Sequence, residues 1–139
     1  MNIIKAFDIA FERAKEKNWD YIVVLIDIHD TIFKGTFSQL ENYEYLGKSK
    51  ETLQLMSNCK DIKIILWSST FNKTKYILQL YKDNIIIDGF NKNIEGIENT
   101  EIACFDEKPY FSVGIDNSFG FEPETDWEEV IKTLNLYIV

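Results

Sequence analysis

Asp27, His29, Asp30 and Thr31 stand together just after the apolar run Tyr21-Ile-Val-Val-Leu-Ile, and these types at this spacing suit phosphoryl chemistry. A carboxylate can hold a divalent cation, and a nearby hydroxyl can hydrogen-bond a phosphate oxygen. Two further groups of the same kind follow other apolar runs. Ser68 and Ser69 come after Asp61-Ile-Lys-Ile-Ile-Leu-Trp67, and Asp116-Asn117 come after Phe111-Ser-Val-Gly-Ile115. Lys108 stands eight residues before Asp116. Two carboxylates, a hydroxyl and an ammonium in one place would suit a phosphoryl group with Mg²⁺.

These groups share a site only if the elements before them are parallel strands. Continuous Val, Ile and Leu in residues 21–27 read as a strand buried on both faces. Residues 61–67 read the same way, with further strands expected at Ile85-Ile86-Ile87 and at 111–115, and a short one possible at 102–105. Helices are expected between them. Residues 3–17 put Ile3, Ile4, Phe7, Ala10, Phe11 and Ala14 on one stripe, forming an N-terminal helix over about 1–18 that packs on the core. Others are expected over about 38–57, with Gly47 weakening its middle, over 72–82, and from Thr125-Asp126, where Thr125 and Glu128 could form a capping box. Strands alternating with helices imply a single α/β domain over 1–139, Rossmann-like, three-layered α/β/α with a mostly parallel sheet. Ligand sites of such sheets lie beyond the carboxyl ends of the strands, where Asp27, Ser68 and Asp116 all fall.

In these residues the chain resembles the haloacid dehalogenase-like superfamily of aspartate-dependent phosphotransferases. The likeness lies in four short ordered motifs over residues 21–117. Asp27 matches the nucleophile and Thr31 the threonine of the first motif; Ser68 matches the second, Lys108-Pro109 the third, and Val113-Gly-Ile-Asp116-Asn117 the fourth. The resemblance implies a Mg²⁺-dependent phosphohydrolase forming an aspartyl-phosphate on Asp27. It also implies Mg²⁺ between Asp27, Asp116 and the backbone carbonyl of His29, with Asn117 near the metal and with Thr31, Ser68, Ser69 and Lys108 around the phosphoryl group. Caps in this family fall after the first motif or between the second and third. Residues 32–60 and 71–107 leave no room for one, so an open, capless site is expected.

Two positions depart from the family pattern. His29 stands where the family carries its second aspartate, the group that protonates the leaving oxygen and later activates water. Imidazole can do either near its usual pKa of about 6.5. Asn117 replaces a second acid and lowers the local charge by one. A slow phosphatase, a stable phospho-aspartate and a non-catalytic module that binds a phosphorylated ligand or protein all stay open. Each residue also has a plainer reading. Asp27 and Asp116 can be turn residues, Ser68-Ser69-Thr70 a helix cap, Lys108 a solvated lysine, His29 a structural hydrogen-bonder, and Phe119 and Phe121 core or edge packing.

Composition narrows the partners. The 139 residues carry 23 acids against 15 bases, a net charge of -8, with Arg13 the one arginine, which disfavours extended nucleic acid. No apolar run reaches the roughly 20 residues of a membrane span. The N-terminal residues lack the apolar centre of a signal peptide, and Cys59 and Cys104 lack metal-ligand spacing, so a cytoplasmic protein with reduced thiols is expected, with a single disulfide as the alternative. A phosphorylated small molecule or phosphoprotein is the expected partner, and the oligomeric state is open. Residues 36–46 could form a flap that offers aromatics to a partner.

Overall fold

Ile22–Ile26 forms strand β1, and four of its five side chains are buried, as the unbroken apolar run requires of a strand covered on both faces. The computed structural model describes residues 2–35, 43–70, 73–94, 97 and 110–138. Around β1 the chain runs α1 (Ile3–Glu16), β1, α2 (Ser49–Ser57), β2 (Ile62–Leu66), α3 (Lys73–Lys82), β3 (Gly89–Phe90), β4 (Val113–Ile115) and α4 (Pro123–Tyr137). The strands form one all-parallel sheet in the order β3-β2-β1-β4. Ile26 pairs with Leu66 on one side and with Ile115 on the other, so the chain leaves all three strands on one edge. The expected α/β, Rossmann-like class with a parallel sheet therefore stands.

Alternate residues of the strands feed two clusters. Ile22, Val24, Ile26, Ile62, Ile64 and Leu66 point to one face and meet buried residues of all four helices, among them Phe7, Leu53, Met56, Tyr76, Leu80, Trp127 and Leu134. Val23 and Ile65 point to the other face, where Ile94 is buried and Tyr21, Ile97, Tyr110 and Phe111 pack on them. Among the described residues that second face is thus covered by the crossover between β3 and β4 rather than by a helix. Helix α1 begins with Asn2, whose side chain accepts from the Lys5 N–H at 3.1 Å, and buries Ile3, Phe7, Ala10 and Ala14. No helix among the described residues is long and apolar enough to cross a membrane.

Three elements differ from the sequence reading. Residues 43–48 are not helical: Leu46 N–H donates to the Ile32 carbonyl, Lys34 N–H to the Glu44 carbonyl, and Gly47 takes a left-handed φ of 52°. Helix α2 starts only after that glycine, because the extended segment pairs with Phe33 instead. Ile85-Ile86-Ile87 is not in the sheet. The chain leaves α3 through Asn84 at φ 63° and buries Ile85 against Leu80, and pairing begins at Gly89 opposite Ile65. The Asp88 carboxylate accepts from the Ile64 N–H at 2.8 Å. Thr125 does not cap α4, which begins two residues earlier at Pro123, a residue whose fixed φ suits a first helical turn. Asp126 reaches back instead to accept from the Glu122 N–H at 2.8 Å. The possible strand at 102–105, Cys104, Lys108 and residues 36–42 of the flap lie outside the described residues. Cys59 is a free, half-buried thiol.

Candidate active site

The ladder bonds run past the strands into the site. Asp27 N–H donates to the Ile115 carbonyl at 3.0 Å, and Trp67 N–H to the Ile26 carbonyl at 2.9 Å, so the backbone around Asp27 is held from both sides. The chain then turns sharply. Thr31, Ile32 and Phe33 N–H groups all donate to the Ile28 carbonyl, and Asp30 takes a left-handed φ of 58°. That conformation suits Asp better than most residues, since its short side chain can bond locally. Here the Asp30 carboxylate accepts from the Gly35 N–H at 2.7 Å. A Cβ on Gly35 would run into that carboxylate, so a larger residue there would displace the Asp30 side chain from this bond.

The turn delivers Thr31, fully buried, between the ends of β1 and β4. Its hydroxyl accepts from the Asn117 N–H at 3.1 Å and lies 3.5 Å from the Asp27 carboxylate, long for a hydroxyl bond. The Asn117 amide oxygen is also near, at 3.4 Å from Thr31 Oγ1. Thr31 is anchored from below by Trp127 of α4, whose Nε1–H donates to the Thr31 carbonyl at 2.7 Å in a buried contact. Asp116 accepts from the Ser118 N–H at 2.8 Å and opens the 3-10 turn Asn117–Phe119. Phe121 behind it is buried against Trp127, as a packing reading expects, whereas Phe119 is exposed.

Asp27 is half-buried, and its carboxyl is pushed up from the ordinary 3.8 to about 6. Burial is the main cause, and the charge of Asp116 is the next. A bond from the Ile28 N–H and the Thr31 hydroxyl pull the other way, and Asp30 adds to the rise. Asp116 beside Asp27 makes two neighbouring carboxylates, the donor chemistry of an oxygen-liganded cation site, because a divalent ion would remove the repulsion that Asp27 feels. The pair fits Mg²⁺ on that ground. Among the described residues no group of three or more His, Cys, Asp and Glu side chains is placed to hold a metal ion, so the backbone carbonyl of residue 29 would have to complete the set.

Ser68 follows β2, one strand over from Asp27, and is buried. Its hydroxyl accepts from the Thr70 N–H at 3.3 Å, the local turn bond that the plainer reading expects of a serine there. Ser69 is exposed beside it. His29 is turned toward α3 through a 3.0 Å contact between Nε2 and the Tyr76 hydroxyl. The structure therefore brings Asp27, Thr31, Asp116 and Asn117 together, sets Ser68 on the same edge, and ties His29 to a helix. Lys108 lies outside the described residues.

Three positioning groups were not legible beforehand. Asn91, at a left-handed φ of 54°, clamps Ser68 by accepting from its N–H at 2.8 Å and donating to its carbonyl at 2.6 Å. Tyr76 and Trp127 are the other two. The available signal was thin: an Asn just past a strand, and aromatic residues on helical stripes.

No family model matches the chain, and no curated protein matches it. Its fold is similar to that of a solved structure described as a conserved protein from Bacteroides thetaiotaomicron. The two are 19% identical, with a TM-score of 0.64 over 86% of this chain and 93% of that one. At that identity the likeness shows the shared α/β fold and nothing about activity.

Proposed function

We propose that this chain is a haloacid dehalogenase-like phosphohydrolase that works through an aspartyl-phosphate on Asp27. The observation that carries the reading is the pairing of Asp27 with Asp116 at the carboxyl edge of a parallel sheet, each delivered by its own strand. Asp27 would attack phosphorus in line, and the P–O bond to the leaving group would break with its electron pair on that oxygen. A proton from His29 would neutralise the leaving oxygen, and His29 would later take a proton from the water that cleaves the acyl phosphate. Thr31 keeps Asn117 and Asp27 in register, and the Ser68 hydroxyl would bond a phosphate oxygen. Mg²⁺ held by Asp27, Asp116 and the His29 carbonyl would offset the charge of the phosphoryl oxygens. Lys108 is proposed as a further cation for that group. The substrate would be a phosphorylated small molecule or phosphoprotein in the cytoplasm, reached without a cap.

The replacement of the family's second aspartate by His29 favours one alternative, a module that binds a phosphorylated ligand without turning it over. Hydrolysis of an aryl phosphate with Mg²⁺ by wild type, Asp27→Asn and His29→Asp separates the two. Turnover lost in Asp27→Asn supports the enzyme. Inert wild type with activity gained in His29→Asp supports the module.

A further inference from the structure

The amino edge of the sheet carries a second concavity, away from Asp27. Trp19 is 39% exposed, yet its place is fixed. Asn18 takes a left-handed φ of 55°, and the Trp19 N–H donates to the Ala14 carbonyl at 2.8 Å, which folds the chain back against the last turn of α1. Tyr110 meets the indole edge-on at 86°, with centroids 5.8 Å apart, and its own N–H donates to the Asn93 side chain at 2.7 Å. Trp19, Tyr21, Ile97 and Tyr110 line a cavity of about 360 Å³ whose polar groups are Asn18 and Asp20. That size, with mostly apolar walls and a few polar groups, suits a small organic ligand. Tyr21 and Asp27 lie at opposite ends of β1, about 20 Å apart, so this cavity is separate from the phosphoryl site.

A groove that shares Trp19 and Tyr110 with this cavity adds two cations, Arg13 and Lys17. They stand one turn apart at the end of α1, on one helical face, and the Lys17 ammonium lies 5.4 Å from the Trp19 ring centroid. Neither makes an ion pair or a side-chain hydrogen bond among the described residues, in a chain of net charge -8. The end of a helix favours cations, which accounts for their charge but not for the exposed aromatic pair beside them. Asp20 lines the cavity but not the groove with the cations, so acid and bases occupy different parts of the concavity. We propose that this is a binding site for a nucleoside monophosphate, with the base against the Trp19, Tyr21 and Tyr110 rings and the phosphate on Arg13 and Lys17. Aromatic faces hold any base by stacking, and Asn18 and Asp20 can bond its polar edge. Two cations match the double charge of a phosphate monoester better than the single charge of a carboxylate, and a guanidinium grips it through paired N–H groups. A single nucleotide needs only these two cations, so the site agrees with an acidic chain that disfavours extended nucleic acid.

The test follows the indole N–H signals of Trp19, Trp67 and Trp127 by nitrogen-15 NMR while adenosine monophosphate is added in EDTA, with Trp19→Phe identifying the Trp19 signal. The Trp19 signal is expected to move and saturate by millimolar nucleotide, with the Trp67 and Trp127 signals in place. Adenosine, which lacks the phosphate, and inorganic phosphate, which lacks the base, should each bind wild type at least about tenfold more weakly. The double variant Arg13→Ala/Lys17→Ala, changed only at exposed side chains, should bind adenosine monophosphate about tenfold more weakly as well. A Trp19 signal that stays in place overturns the proposal, and so does a shift of Trp67 alone, which would put the nucleotide at the edge that holds Asp27. Equal binding of adenosine or of inorganic phosphate, or full affinity in the double variant, also overturns it. The three ligands are compared on wild type, so poor folding of a variant does not shield the proposal. An inert protein in the aryl phosphate assay would end the phosphohydrolase reading and leave this site to be decided by the NMR result.

Discussion

Asp27→Asn should destroy turnover and at the same time make the metal-free protein more stable. The Asp27 carboxyl is raised from 3.8 to about 6 by burial and then by Asp116, so the folded state holds its proton more tightly than the unfolded chain does. The sign is therefore the reverse of a salt-bridged aspartate. Below pH 3.8 both states are protonated and the residue costs nothing; between 3.8 and about 6 the cost grows; above 6 it is complete. At 1.36 kcal/mol per pH unit the full gap is about 3 kcal/mol. Asp27 is only half-buried, and solvent screening brings the expected cost to about 1–2 kcal/mol. Asparagine keeps the shape and removes the charge. Urea unfolding of both proteins in EDTA should show curves that coincide near pH 4 and separate to about 1–2 kcal/mol by pH 7, with Tm about 3–8 °C higher for the variant. Excess Mg²⁺ should close the gap by binding folded wild type more tightly than Asp27→Asn. A variant no more stable than wild type at pH 7, or a difference that ignores pH, would refute the electrostatic account of the site.

Trp127→Phe should cost about 1–3 kcal/mol in urea unfolding, because the buried Thr31 carbonyl loses its donor at 2.7 Å. Gly47→Ala should cost more than about 1 kcal/mol by the same measurement, since Gly47 has a φ of 52° and a Cβ would meet the Pro123 carbonyl oxygen at 2.3 Å. Asn91→Ala should lose two backbone bonds and strain a left-handed φ of 54°, lowering Tm by several degrees, whereas Asn91→Gly should recover the strain but not the bonds.

Strands β1 and β2 were legible because burial on both faces demands apolar side chains at nearly every position, a run that is unbroken in β1 and interrupted only by Lys63 in β2. The residues at their ends then fell on one edge by topology alone, so Asp27, Ser68 and Asp116 could be placed without knowing any distance. β3 was not legible. Its two residues, Gly89 and Phe90, carry no strand pattern, and the isoleucines before them bury only in part, with Ile86 60% exposed. Of the helix expected over 38–57, residues 43–48 are not helical, because the backbone there bonds to Ile32 and Lys34, a tertiary pairing that local spacing does not report. His29 was picked out by its offset from Asp27, but its bond to Tyr76 lies 47 residues away in sequence and no local pattern reports it.

Thr31 ties the first half of the chain to the last. Its bonds to Asn117 and Trp127 span 86 and 96 residues, so the turn that carries it is complete only once helix α4 has been synthesised and docked. During translation, a chain halted before Trp127 would carry Asp27 and Thr31 on a turn with nothing beneath it. Contacts of such long range also form slowly, because the loop they close must first be ordered. The turn that follows Asp27 is thus completed only when the C-terminal helix is in place beneath it.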